Sequence, residues 1–435
     1  MNFIGIDIGT TSICGIVFNA ENKTIIKSKT LQNRSFILTE NAYEKIQNTE
    51  IIMSSVYEIL DELIEFGAEA IGFSGQMHGI VYTDLNGDAV SPLYIWQDER
   101  AAKEYQNGKS YAEHLGCFAG YGLATDFYNE KNGLIPENAS YLCTVADYAV
   151  MKLCGLKKPV THITNAASLG CFDLKNNCFT VENARLPEVT TDFKTVGNYN
   201  GIPVCVALGD NQASFIGSVS DAEAALINIG TGSQISWLTD TLIDSESVEN
   251  RPFDGKHYLA AGCALCGGRA FAMVEKLFRE IANLVCDKEF DSVYPVINKL
   301  LETKNETTLS ADCRFCGTRK DPSVRGGISG ISEDNFTASD IALSVLIGMA
   351  DELYQMFKKS GKKASKLVGS GNGIRKNAAL QTVIEDMFDC GMIFPLFEEE
   401  ASFGAALAAS VAVGFSKNIF DACSMICYIG GCYVL

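Results

Sequence analysis

Apolar and small residues alternate from the start of the chain. Phe3-Ile4-Gly5-Ile6-Asp7-Ile8 runs into Gly9-Thr10-Thr11-Ser12, a second apolar run follows to Phe18, and Ala20-Glu21-Asn22-Lys23 separates it from TIIKSKTL. Apolar runs punctuated by such residues predict strand, turn and strand. The period then changes. Within 42–66, Ile51, Ile52, Val56, Ile59, Leu60, Leu63 and Ile64 recur at three- and four-residue spacing, which predicts a helix. AIGFSGQMHGIVYTD reads as strand, turn, strand, and Asn86-Gly87-Asp88 as a turn. A helix is expected over 142–153, and a buried strand over 201–208 that delivers Gly209-Asp210 to its end. In the second half, 221–238 predicts strand, turn, strand, 268–301 is helical, and 311–335 is loop-rich. A helix over 337–360 has cap candidates in Thr337, Ser339 and Asp340 and stops at Gly361. Then come strand KLVGSG, a loop at Asn372-Gly373, a helix over 376–388, strand GMIFPLF, the small-residue helix SFGAALAASVAV, and a tail, 419–435, that reads as a packed terminal element. Strands alternating with helices define an α/β protein.

Two of these segments are nearly the same. Ile6-Asp7-Ile8-Gly9-Thr10-Thr11-Ser12 is echoed by Ile227-Asn228-Ile229-Gly230-Thr231-Gly232-Ser233, about half the chain away. A strand that stops in a Gly-Thr turn offers backbone N–H and hydroxyl donors to an anion. One such turn per half predicts two related domains, divided near residue 217, that grip a polyphosphate between them. The expected domains are 1–217 and 218–435.

Bulk properties narrow the field. At 435 residues there is room for two or three domains with full cores. A net charge of −18 argues against a nucleic-acid partner, which needs a basic face. The start, MNFIGIDIGTTS, has no basic leader, and no run of about 18 apolar residues predicts a membrane span. Sixteen cysteines in such a chain are expected as reduced thiols, in a cytoplasmic protein. Cys263/Cys266 and Cys313/Cys316 have the spacing of zinc ligands. The interval between the pairs exceeds the usual ribbon spacing, and LAAGCALCGG reads as core strand and turn.

Four places could carry chemistry. Asp7, at a strand end beside Gly9-Thr10-Thr11, is placed to hold Mg²⁺ next to phosphates, or else to cap a turn. Its counterpart is Asn228, as expected if one copy alone holds a metal. Asp210, in Gly209-Asp210-Asn211-Gln212, can accept a proton from a hydroxyl that attacks a phosphoryl group, or else cap the following helix. Gln76, His78, Gln97, Asp98 and Arg100 offer hydrogen bonds and Trp96 an apolar face, which is what a sugar site needs; the plainer alternative is a surface loop with an Asp98–Arg100 ion pair. Gly369-Ser370-Gly371-Asn372-Gly373 follows a strand and precedes a helix, so a base or ribose could approach its backbone. It matches neither the dinucleotide fingerprint nor the Walker pattern.

In order, GIDIGTTS, SGQMHG, WQDER, GDNQAS, NIGTGSQ and GSGNGIRKNAALQ resemble the FGGY carbohydrate kinases, within the superfamily of sugar kinases, heat-shock ATPases and actin. The resemblance spans the chain. It implies two ribonuclease-H-like domains of the actin and hexokinase type with a cleft between them, and transfer of the γ-phosphoryl group of ATP to a primary hydroxyl of a ketose. It makes Asp210 the catalytic base and places Mg²⁺ near Asp7 and Asp210. Thr10, Thr11, Gly230 and Thr231 would touch phosphates, and Gly371, Asn372 and Asn377 would line the adenosine pocket. Gln76, Met77, His78 and Asp98 would sit at the sugar, beside Trp96 and Arg100. LYIWQDER, VALGDNQAS and GTRKDPSVRGGISGI look most like members acting on the seven-carbon ketose sedoheptulose; SGQMHG is shared with members acting on xylulose. The expected partner is a small sugar, with no nucleic acid or membrane, and a homodimer stays open. The Gly-Thr turns alone would also suit a chaperone- or filament-type ATPase switch, and the fold alone a non-catalytic sugar sensor.

Overall fold

The computed structural model describes residues 1–318, 321 and 323–429. Arg319, Lys320 and Pro322 of the GTRKDPSVRGGISGI segment and 430–435 of the tail lie outside them. The chain forms two compact units. One comprises Met1–Ser220, Arg251–Tyr258 and Phe397–Cys427; the other comprises Asp221–Asn250 and Leu259–Leu396 with Tyr428 and Ile429.

In the first unit the strands Asn2–Ile8, Ser12–Asn19 and Thr24–Gln32 form an antiparallel meander. Ala70–Gly75 pairs parallel with the first of them, and Ile202–Cys205 and Leu208–Gly209 pair parallel with Ala70–Gly75. Asn2–Ile8 is covered on both faces and is correspondingly apolar, whereas Thr24–Gln32 alternates exposed and half-buried positions as an edge strand does. The helix Thr49–Leu63 starts where Asn48 accepts hydrogen bonds from the N–H groups of Glu50 and Ile51. It turns Ile52, Val56, Ile59, Leu60 and Leu63 to the core.

Four expectations need correction. The loop expected at Asn372-Gly373 is instead the start of a short helix, Asn372–Arg375, because Gly371 at φ 83° makes the turn one residue earlier. The helix expected from 142 begins at Val145, because Thr144 caps it in an extended conformation and frees Tyr141–Cys143 to pair with Val81–Thr83. The strand expected over 201–208 is broken into Ile202–Cys205 and Leu208–Gly209. GMIFPLF yields strand only at Met392–Ile393, since the proline at 395 has no N–H for a ladder.

The small-residue helix Glu400–Ala412 returns to the first unit. It crosses the sheet at backbone contact: a Cβ at Gly5 would lie 1.8 Å from the Ser402 carbonyl oxygen, and one at Gly72 1.9 Å from that of Ala405. Its own Gly404 meets the helix Asp210–Ser218, where a Cβ would lie 1.8 Å from the Ala213 carbonyl oxygen. Side chains at these positions would hold the helix off the strands. The tail helix Ile419–Cys423 is largely buried in the same unit.

The second unit rests on six strands in the order Val248–Pro252, Tyr258–Ala264, Ser233–Thr239, Ala225–Ile229, Leu367–Ser370 and Met392–Ile393. Its core is organised by the helix Ala338–Lys358, whose Phe357 meets Trp237 edge-on at 5.2 Å. Thr337 caps it by accepting from the Asp340 N–H.

The sequence repeat is also a repeat of register. In the first unit Asp7 lies opposite Ser74 in the parallel pair, and the Ser74 hydroxyl donates to its carboxylate at 2.8 Å. In the second, Asn228 lies opposite Ser370, and its amide donates to the serine hydroxyl at 3.2 Å. Each unit therefore has a hairpin carrying the Gly-Thr turn beside a parallel strand that ends in Ser-Gly.

Candidate active site

Parallel strands put their carboxyl ends on one edge, and in the first unit that edge gathers the two candidate aspartates. Asp7 sits opposite Ser74, while Gly209, opposite Gly75, hands the chain to Asp210 at the start of a helix. Both aspartates are half-buried. Burial, followed by the charge of Asp210, pushes the Asp7 carboxyl up to about 7; the repulsion falls on the partner that ionises second. Burial also raises Asp210, against the lowering effect of its hydrogen bond from the Asn211 amide, 2.9 Å away, and of the Arg251 charge. Two neighbouring carboxylates fit Mg²⁺, which takes one or two carboxylates and completes its shell with water and phosphate oxygens. Among the described residues, no group of three or more His, Cys, Asp or Glu side chains could hold a metal ion. The Cys313 thiol donates to the Val345 carbonyl, and Cys316 accepts from the Arg269 guanidinium.

The first Gly-Thr turn is tied directly to the polar cluster. The Thr10 hydroxyl accepts from the Trp96 indole N–H at 3.0 Å and donates to the Gln76 Oε1 at 3.3 Å. Buried Gln47 completes the ring, donating to the Thr10 carbonyl at 2.8 Å and accepting from Gln76 Nε2 at 2.9 Å. Thr11 is exposed at the tip of the turn. Met77 is buried, with its sulfur 3.6 Å from the Asn211 amide, so it packs against the Asp210 turn. His78 adopts a positive φ of 73°. It is held there by Ser168, whose hydroxyl accepts from its N–H and whose carbonyl lies 2.8 Å from its Nδ1, and by the Tyr121 ring stacked at 4.5 Å. Asp98 and Arg100 are buried and spend their hydrogen bonds on each other and on the fold. Arg100 Nε and Nη2 reach the two oxygens of Asp98 at 2.7 and 3.1 Å, the backbone N–H groups of Lys45 and Arg100 add two more donors, and Arg100 Nη1 reaches Asn129.

Behind the Asp210 turn lies a second layer of polar groups. Thr164 accepts from the Gly209 N–H at 3.1 Å, and the Asn165 amide donates to the Ala207 carbonyl and to Asp147. Asp147 is fully buried and also accepts from the Thr144 and Thr161 hydroxyls. Burial pushes its carboxyl up to about 7.

In the second unit a cavity of about 760 Å³ is lined by Gly230, Thr231, Asn372 and Asn377. Gly371 stands beside them with φ 83°, where a Cβ would lie 2.7 Å from the Ile229 carbonyl oxygen. Gly267 and Gly268 bring the helix Gly268–Cys286 onto the turn, so that the N–H groups of Gly268 and Arg269 reach the Gly230 and Thr231 carbonyls at 3.0 and 3.1 Å. Phe271 and Tyr294, with ring centroids 5.7 Å apart, also line it.

Sequence reasoning missed Gln47, Ser168, Asn165 and Asp147 in the first unit, and Arg269, Phe271, Tyr294 and Lys376 in the second. Only Arg269 had a local signal: it follows two glycines between a strand and a helix.

Comparison with known proteins gives the class of this two-unit α/β chain. The chain belongs to the FGGY family of carbohydrate kinases, whose N-terminal domain matches residues 2–217 and C-terminal domain residues 225–413. It is 26% identical to the sedoheptulokinase of Homo sapiens, over 93% of this chain and 96% of that protein. It is 24% identical to the xylulose kinase of Staphylococcus xylosus, over 94% and 90%. The ligand-bound xylulose kinase of Lactobacillus acidophilus superposes with a TM-score of 0.82 at 19% identity, covering 98% of this chain and 92% of that one. The fold is thus the two-domain actin and hexokinase type. Membership implies ATP and a small sugar as substrates. No helix among the described residues is long and apolar enough to cross a membrane.

Proposed function

We propose that this chain transfers the γ-phosphoryl group of ATP to a primary hydroxyl of sedoheptulose, with Asp210 as general base. The observation that carries this reading is the pair of carboxylates, Asp7 and Asp210, at the carboxyl ends of parallel-paired strands in one mixed sheet. In this reading the first unit holds the sugar and the base, with Gln76, Met77, His78 and Trp96 facing the sugar and the Asp98–Arg100 pair fixing the loop that presents Trp96. The second unit holds the nucleotide, with Gly230 and Thr231 at its phosphates and Gly371, Asn372 and Asn377 at its adenosine. Thr10 and Thr11 offer hydroxyl and backbone donors to phosphate oxygens.

Asp210 orients the hydroxyl and takes its proton as the oxygen bonds to phosphorus and the bond to ADP breaks. Asp7 and Asp210 would hold Mg²⁺, which neutralises phosphate charge when bound. Ser74 fixes the Asp7 carboxylate, and Thr10 couples the turn to Trp96 and Gln76. Sedoheptulose is favoured by the relative of highest identity reported above. Xylulose is the second reading, supported by the xylulose kinases that share sequence and fold. A coupled ADP-release assay across sedoheptulose, xylulose, ribulose, gluconate and glycerol tests both. The highest kcat/KM is expected with sedoheptulose; a preference for xylulose selects the second reading, and ATP turnover indifferent to every sugar sinks both.

A further inference from the structure

Two thiols face each other next to the segment that carries His78. Cys117 follows the short helix Tyr111–Leu115 and Cys171 follows Gly170, and their sulfurs are 3.5 Å apart. Both are half-buried, and none of the fifteen described cysteines is in a disulfide. Gly170, at φ 92°, is what lets the segments meet: a Cβ there would lie 2.8 Å from the Cys117 sulfur. The same two segments grip His78. One supplies Ser168, with its hydroxyl and carbonyl on the histidine; the other supplies the stacked Tyr121. The Leu123 N–H, donating to the Leu169 carbonyl at 2.9 Å, joins them.

We propose that Cys117 and Cys171 form a redox modification site, at which a low-molecular-weight disulfide of the glutathione class closes an intramolecular disulfide and thereby alters sugar binding through His78. The S–H···S contact between the two thiols holds Cys117 down to about 7 and raises Cys171. Cys117 is therefore partly thiolate at neutral pH and is the attacking sulfur. It attacks one sulfur of the small disulfide, whose S–S bond breaks and whose other half leaves as a thiolate and takes a proton. Cys171 then attacks the mixed disulfide at Cys117, and the second small thiol leaves with the proton from Cys171. Two protein thiols are oxidised and one small disulfide is reduced to two thiols. Bond formation draws the sulfurs from 3.5 Å to about 2.05 Å. That movement is imposed on the segments that fix the His78 backbone and ring. The link to sugar rests on the function proposed above; the thiol chemistry does not.

The test uses the reduced full-length chain incubated with oxidised glutathione, followed by non-reducing peptide mapping and steady-state kinetics. The expected product is a Cys117–Cys171 linked peptide lacking two hydrogens and restored by dithiothreitol. Cys171→Ser should stop at a glutathione adduct on Cys117, and Cys117→Ser should give neither product at this pair. The oxidised chain should show a change of about threefold or more in KM for the sugar with KM for ATP unchanged. Glutathione on the exposed Cys178 and Cys286 with no Cys117–Cys171 link would overturn the site. A linked peptide with unchanged sugar KM would overturn the coupling to His78. If no ketose is turned over, the proposed function fails and takes the coupling with it, while the peptide map still decides the thiol chemistry.

Discussion

Asp147 is the side chain whose replacement separates structural cost from function most cleanly. It is a fully buried carboxyl that accepts from two threonine hydroxyls and the Asn165 amide, with the backbone N–H of Asp147 itself bonded to Thr144. Burial moves its pKa from 3.8 to about 7. The folded chain therefore keeps this proton up to about pH 7, whereas the unfolded chain loses it near pH 3.8. Where the folded state binds more protons, stability falls as pH rises. The group is neutral in both states below about pH 4, stability declines between about 4 and 7, and the full cost is present above about 7. At about 1.4 kcal/mol per unit, that cost is on the order of 4 kcal/mol. Asp147→Asn removes the charge and keeps an oxygen for Thr144 and Thr161, but gives up the bond from Asn165, about 1 kcal/mol. The constant loss cancels when one variant is compared at two pH values. Relative to the parent, Asp147→Asn should gain about 2 kcal/mol between pH 5.5 and pH 8, a relative rise in Tm of roughly 2–4 °C. Thermal unfolding of both proteins at the two pH values reads it directly. A difference between variant and parent that is the same at both pH values, or larger at pH 5.5, would refute the reasoning. Glu352, also raised to about 7 by burial, is common to both proteins and drops out.

Three further outcomes follow from the geometry. Asp210→Asn should lower kcat by about 10²–10⁴ with KM for the sugar largely kept; near-normal turnover would remove Asp210 from the role of base. Gly5→Ala sets a methyl where the Ser402 carbonyl stands and should cost about 1–3 kcal/mol or more in urea unfolding; unchanged stability would mean the helix Glu400–Ala412 does not touch the sheet there. Asn377→Ala removes the acceptor for the Leu380 N–H, 3.0 Å away, at the start of Ala378–Phe388. It should cost about 0.5–2 kcal/mol and raise KM for ATP more than KM for the sugar; equal effects on both would detach Asn377 from the nucleotide.

Much of the site was legible because its signals are local. The two Gly-Thr turns, Ser74-Gly75 and Ser370-Gly371 each mark a strand end, and their matched register follows from the repeat. The polar cluster was legible in kind but not in arrangement. Nothing local shows that Asp98 and Arg100 are buried against each other while Trp96 and Gln76 meet on Thr10. Gln47, in an unremarkable stretch, has no pattern of its own; its role comes from the two backbones it bridges.

The amino-acid sequence by itself determined the α/β class, the duplicated strand-turn unit and the residue types gathered at each turn, because period, turn chemistry and strand ends are properties of neighbours along the chain. Tertiary structure alone decided that Asp7 and Asp210 share an edge, that Glu400–Ala412 returns to pack on Gly5 and Gly72, and that Cys117 meets Cys171. Those contacts join residues far apart in the chain, and they are fixed by sheet register and close packing, which no local pattern encodes.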